Sequence, residues 1–91
     1  MWSILESAQA RKIVPRLPNQ VLEKYEFWKN VVMLQGPHAL RRVPGFRDEA
    51  LRGKWTGFRS SRLSLQWRVL YRTSGSNVTV TVERISPHDY R

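Results

Sequence analysis

Glu49, Arg62, Arg68 and His88 are the residue types that cleavage of an RNA phosphodiester without a metal requires, and all four fall between Gly45 and Arg91. Such a reaction needs a base to take the 2′-hydroxyl proton, cations to stabilise the phosphorane, and an acid to protonate the leaving 5′-oxygen. Glu49 can supply the base, the more so if burial raises its pKa, although surrounding arginines push the other way. An unperturbed histidine titrates near pH 6.5 and suits acid or base duty, so the division of labour between Glu49 and His88 stays open. Arg62 and Arg68 can grip the phosphate, and Tyr90 can stack on a base or donate a hydrogen bond to phosphate. Singly, each residue has an ordinary structural reading: a solvated carboxylate beside Asp48, strand arginines capping a sheet face, a packing tyrosine. It is their combination that points to phosphate chemistry.

The charge balance supports an anionic partner. Sixteen Lys and Arg stand against seven Asp and Glu, a net charge of +9. Such a field attracts polyanions, because each neutralised phosphate releases condensed counterions. Residues 1–40 carry five basic and three acidic side chains, whereas residues 41–91 carry eleven and four. The anion-facing surface is therefore expected in the C-terminal half, with Arg47, Lys54, Arg59, Arg72 and Arg91 as further RNA-contacting cations. Twelve of the sixteen basic residues are arginine, whose planar fork matches phosphate bidentately where lysine acts as a point charge. An arginine-rich codon usage would give the same ratio, so the weight rests on where these residues fall.

Other chemistries are excluded or disfavoured by composition. The chain has no cysteine, which rules out disulfides, thiolate catalysis and cysteine-based zinc sites. Two histidines, His38 and His88, are too few for a dedicated metal site without carboxylate help, and His38 reads as a bystander in a loop. No metal and no cofactor are expected. No apolar run approaches the roughly 20 residues needed to span a bilayer, and the N-terminus lacks the charged and apolar regions of a signal peptide. The expectation is a cytoplasmic protein with no membrane partner.

These side chains must be positioned by a single domain, since 91 residues can bury roughly 65% of their surface and leave no room for a second core. Residues 1–6, with Trp2, Ile4 and Leu5, suit a short first strand, and residues 7–14 a short helix before Pro15 and Pro18. A second helix is expected from Pro18 or Asn19, which suit N1 and N-cap positions. Val21, Tyr25, Trp28 and Val32 recur on it at helical spacing, flanked by Leu22 and Leu34, as a core stripe. Gly36-Pro37-His38 ends it. Residues 39–56 read as a mostly irregular connection with room for a helical turn, and so long a connection is often functional.

Strands follow over residues 57–63 and 66–72, around a two-residue Ser64-Leu65 turn, with Trp67, Val69 and Tyr71 alternating. After the turn residues 73–77, Val78, Val80 and Val82 alternate in a last strand. The expected fold class is α+β: a small antiparallel sheet, mixed if the first strand joins it in parallel, with two helices packed on one face. The opposite face and the tail are left for binding. Trp55 and Trp67 could stack on nucleotides, but hairpin or core packing is the simpler reading.

The runs Glu49-Ala50-Leu51, Trp55 to Leu63 and Trp67-Arg68-Val69-Leu70-Tyr71 resemble the RelE/ParE superfamily of type II toxins, nearest its RelE, YoeB and YafQ branches, which cleave mRNA. The motifs cover about the last fifty residues, and the order of elements covers the whole chain. The resemblance implies a RelE-like fold and a metal-independent endoribonuclease that inhibits translation by cutting mRNA on the ribosome. It also implies a cognate antitoxin laid over the basic face, with the toxin monomeric when free and held in a hetero-oligomer otherwise. On this likeness Glu49 matches the YoeB-like glutamate base, Arg62 the first-hairpin arginine and Arg68 the arginine at the scissile phosphate. His88 and Tyr90 match the C-terminal His and Tyr, with one departure: Asp89 separates two residues that are adjacent in that branch, and Arg91 can share their work. Two other readings use the same surface. One is a ParE-like toxin that binds a topoisomerase through protein contacts, a branch that generally lacks a matching Glu and C-terminal His; the other is an RNA-binding module that cuts nothing.

Overall fold

A computed structural model of the chain describes residues 1–88. Strand β1 (Ser3–Glu6) leads into helix α1 (Ala8–Ile13), and helix α2 (Asn19–Gln35) follows after a 3₁₀ turn around Pro15. Two more 3₁₀ turns, Pro37–Arg42 and Pro44–Phe46, bring the chain to β2 (Glu49–Ala50). A fourth turn, Gly53–Trp55, precedes β3 (Arg59–Arg62), β4 (Arg68–Ser74) and β5 (Thr79–Ser86). The sheet runs in the order β1-β5-β4-β3-β2. Its first strand is parallel to β5 and the remaining pairs are antiparallel. The fold is thus α+β with a mixed sheet, as expected.

The helical stripe is the core, except that Leu34, expected to flank it, is exposed. Val21, Tyr25, Trp28, Val31 and Val32 are buried along α2, a spacing that puts them on one side of the helix. They meet Val69 and Tyr71 of β4 and Val80, Val82 and Ile85 of β5, where the pairing of the two strands shifts by one residue between Leu70 and Tyr71, and Ala10 of α1 joins the same cluster. Both helices therefore cover one face of the sheet. Trp28 packs edge-on to Tyr71 at 5.3 Å between centroids and stacks on Tyr25 at 5.9 Å. Among the described residues no helix is long and apolar enough to cross a membrane.

Local chemistry sets the boundaries. Pro18 is the N-cap of α2 and Asn19 its first residue, the reverse of the expected roles, because an extended Pro18 needs only its carbonyl, which accepts from the Leu22 N–H at 2.9 Å. Gly36 ends α2 at φ +88°, where the backbone favours glycine, and a Cβ there would crowd the Trp2 indole nitrogen at 3.0 Å. Beyond β1, the edge of β5 is covered by α1. Ser7 Oγ donates to the Glu83 carbonyl at 2.6 Å, and the Gln9 amide exchanges two hydrogen bonds with the Ile85 backbone, each 3.1 Å. This satisfies strand groups that β1 is too short to reach.

Three sequence expectations are corrected. The connection over 39–56 is mostly ordered as 3₁₀ turns and contains β2, which makes Glu49 a strand residue. The first hairpin does not close on Ser64-Leu65. Leu63 turns inward, and its N–H binds the Trp67 carbonyl at 2.8 Å, while Ser64 Oγ accepts from the Gln66 and Trp67 N–H groups. Residues 63–67 are consumed as a loop. Finally, Val78 belongs to the turn, at φ +49°, and β5 begins at Thr79.

Candidate active site

Register decides which side chains share the face away from the helices. Glu49 pairs with Ser60, Ser60 with Leu70, and Arg62 with Arg68; Arg68 in turn pairs with Ser86 on β5. Because side chains alternate along strands and match across them, Glu49, Ser60, Arg62, Arg68 and Ser86 stand on one face, at one end of the sheet. Arg47, Asp48, Glu49, Ser60, Arg62 and Arg68 line a cleft of about 310 Å³ there. Ser60 is buried in the floor of this face. His88 lies two residues beyond Ser86, with its N–H 3.4 Å from the Ser86 hydroxyl, at the same end of the sheet and exposed.

The segment that delivers Glu49 is anchored from below. Arg47 follows the Pro44–Phe46 turn in the left-handed region, at φ +44°, and the next side chain, Asp48, passes to the helix side. There its Oδ1 accepts from Arg59 Nε at 2.8 Å and Nη2 at 2.7 Å. Its Oδ2 accepts from Ser61 Oγ at 2.6 Å and from the Tyr71 hydroxyl. Ser61 Oγ also accepts from Trp28 Nε1 at 2.9 Å. The Asp48 side chain is fully buried, so these partners replace the water it lost. Burial first, and the Asp48 charge second, push the Tyr71 phenol far above its ordinary value. For Arg59 burial opposes the charge, yet the hydrogen bond and charge of Asp48 outweigh it and raise its pKa.

The expected residues therefore divide. Glu49, Arg62 and Arg68 converge in the cleft, Arg47 joins them, and His88 is at the same end. Arg59 faces the other way, tied to Asp48. Lys54 lies in the turn after β2 with its ammonium 5.6 Å from the centre of the Trp55 ring, outside the cleft lining. Arg72 is four residues along β4 from Arg68, about 13 Å at strand rise, beside Leu5, Thr79 and Thr81. Tyr90 and Arg91 lie outside the described residues. Sequence reading passed over Asp48, Ser60 and Ser61. One signal was available: a Tyr and a Trp in a predicted core must each find a polar partner.

No protein-family model matches the chain, and no curated protein matches it by sequence. Solved structures do. A YoeB/ParE toxin from Agrobacterium tumefaciens superposes with a TM-score of 0.74 at 20% identity, over 96% of this chain and 99% of the other. The archaeal RelE of a RelE–RelB complex from Pyrococcus horikoshii gives 0.75 at 18% identity, over 94% and 93%. YafQ from E. coli gives 0.70 at 19%, over 94% and 92%. At such identities the likeness is one of architecture, and the chain has the fold of the RelE/ParE superfamily of toxins.

Proposed function

We propose that the chain is the toxin of a type II toxin–antitoxin pair and acts as a metal-independent endoribonuclease on mRNA at the ribosome. The observation that carries this reading is the cleft in which Glu49 faces the cross-strand pair Arg62 and Arg68. A phosphate held by the two guanidiniums would bring its ribose 2′-hydroxyl to the Glu49 side, with Arg47 at the rim. Glu49 takes the 2′-proton, the arginines bear the charge of the phosphorane, and His88, following β5 at the same end, protonates the 5′-oxygen. The bond formed is 2′-oxygen to phosphorus and the bond broken is phosphorus to 5′-oxygen, leaving a 2′,3′-cyclic phosphate. Arg59, held by Asp48 on the other side of the sheet, is given no role at the scissile phosphate in this reading. A cognate antitoxin covering the basic face is part of the same proposal, by analogy with the RelE–RelB complex.

Cleavage of a translated mRNA in a reconstituted translation system, with end-group analysis of the fragments, tests this. Fragments ending in 2′,3′-cyclic phosphate and 5′-hydroxyl are expected. Intact mRNA, or 5′-phosphate ends, would overturn the proposal.

A further inference from the structure

We infer that Asp48 is the positioning residue of the cleft: its buried carboxylate, clamped from the helix side, holds Glu49 in place on the opposite side of the sheet. The inference rests on the reading of Glu49 as the base. Strand β2 has two residues, paired through Glu49 to Ser60 and Ala50 to Arg59, and it lies at the edge of the sheet. A two-residue edge pairing is a short anchor for a base that must be held to within roughly 0.5 Å. A further constraint sits one residue earlier. Asp48 takes hydrogen bonds from Arg59, Ser61 and Tyr71, and Ser61 ties the cluster to Trp28 on α2.

The clamp spans three elements, because Arg59 and Ser61 lie on β3, Tyr71 on β4 and Trp28 on α2. Since consecutive side chains in extended chain point to opposite faces, fixing Asp48 inward fixes Glu49 outward. The left-handed Arg47 lets the chain enter this geometry from the preceding turn. The same Arg59 that neutralises Asp48 is the backbone partner of Ala50, so clamp and strand pairing reinforce each other.

Single-turnover and steady-state cleavage of a translated mRNA test the inference with Tyr71→Phe, which keeps the ring and removes one donor, and with Asp48→Asn. Tyr71→Phe is expected to keep a cooperative melt and an unchanged KM while kcat falls about 10-fold, and Asp48→Asn to lower kcat up to about 100-fold, the scale of a base displaced by an ångström. In a Glu49→Gln background Tyr71→Phe should cost nothing further, whereas with Arg68→Ala the losses should multiply. A wild-type kcat in Tyr71→Phe, or an undiminished loss in the Glu49→Gln background, overturns the positioning role and leaves the base reading standing. Full activity in Glu49→Gln sinks the base reading and this inference with it. If Asp48→Asn does not fold, Tyr71→Phe alone decides.

Discussion

Arg62, the last residue of β3, and Arg68, the first of β4, stand directly opposite each other across the hairpin, two cations on one face of the sheet. Like charges in register repel, and with Glu49 lining the same cleft the pair of cations suits a bound anion. Arg68→Ala should leave the melting curve within about 0.5 kcal/mol of wild type or slightly above it. Cleavage should meanwhile fall on the order of 10² to 10³-fold through lost stabilisation of the phosphorane. A variant that unfolds, or one that cuts at the wild-type rate, would show Arg68 to be structural or idle.

Binding to single-stranded RNA should weaken steeply with salt, log K falling by about 0.7 for each phosphate neutralised. If Arg68 holds one of those phosphates, its alanine variant should lose roughly one such unit from the slope of log K against log salt. Filter binding or anisotropy across a salt series measures both. An association indifferent to salt would instead favour a protein target such as a topoisomerase.

How far the sequence reached is visible on single residues. The α2 stripe was legible because Val21, Tyr25, Trp28 and Val32 on a helical period leave little alternative, although Val31, buried beside them, was not read, and β4 and β5 because Val69, Tyr71, Val80 and Val82 alternate. Strand β2 was not, since two residues have no period. The face of Arg59 was in principle readable. It lies three residues from Arg62 on one strand, so the two must point to opposite sides, and only one of them can meet RNA in the cleft. What parity could not supply was Asp48, whose burial depends on Arg59, Ser61 and Tyr71 arriving from other strands.

The buried phenols predict an alkaline limit to stability. Burial raises the pKa of both Tyr25 and Tyr71 above the ordinary 10.0, reinforced by Glu6 for the first and by Asp48 for the second. A group with a raised folded-state pKa contributes stability that is fully present below its unfolded pKa and is lost as pH rises through the folded one. Denaturation free energy attributable to these groups should thus be flat up to about pH 10 and decline above it. Tyr71→Phe should lower stability at neutral pH, through the hydrogen bond lost to Asp48, and flatten the alkaline decline. An equally steep decline in that variant would assign the effect elsewhere.

Proton transfer gives the last test. If Glu49 is the base, the rate rises as its carboxylate ionises; if His88 is the acid, the rate falls as its imidazolium loses its proton, so kcat against pH should be bell-shaped. Glu49→Gln should remove the acidic limb and His88→Gln the alkaline one, each lowering the rate by about 10² to 10⁴-fold. Should the roles be exchanged, the two variants would delete the opposite limbs, which settles the assignment from the same data. Full activity in both variants would overturn the mechanism and move the search to Tyr90 and Arg91.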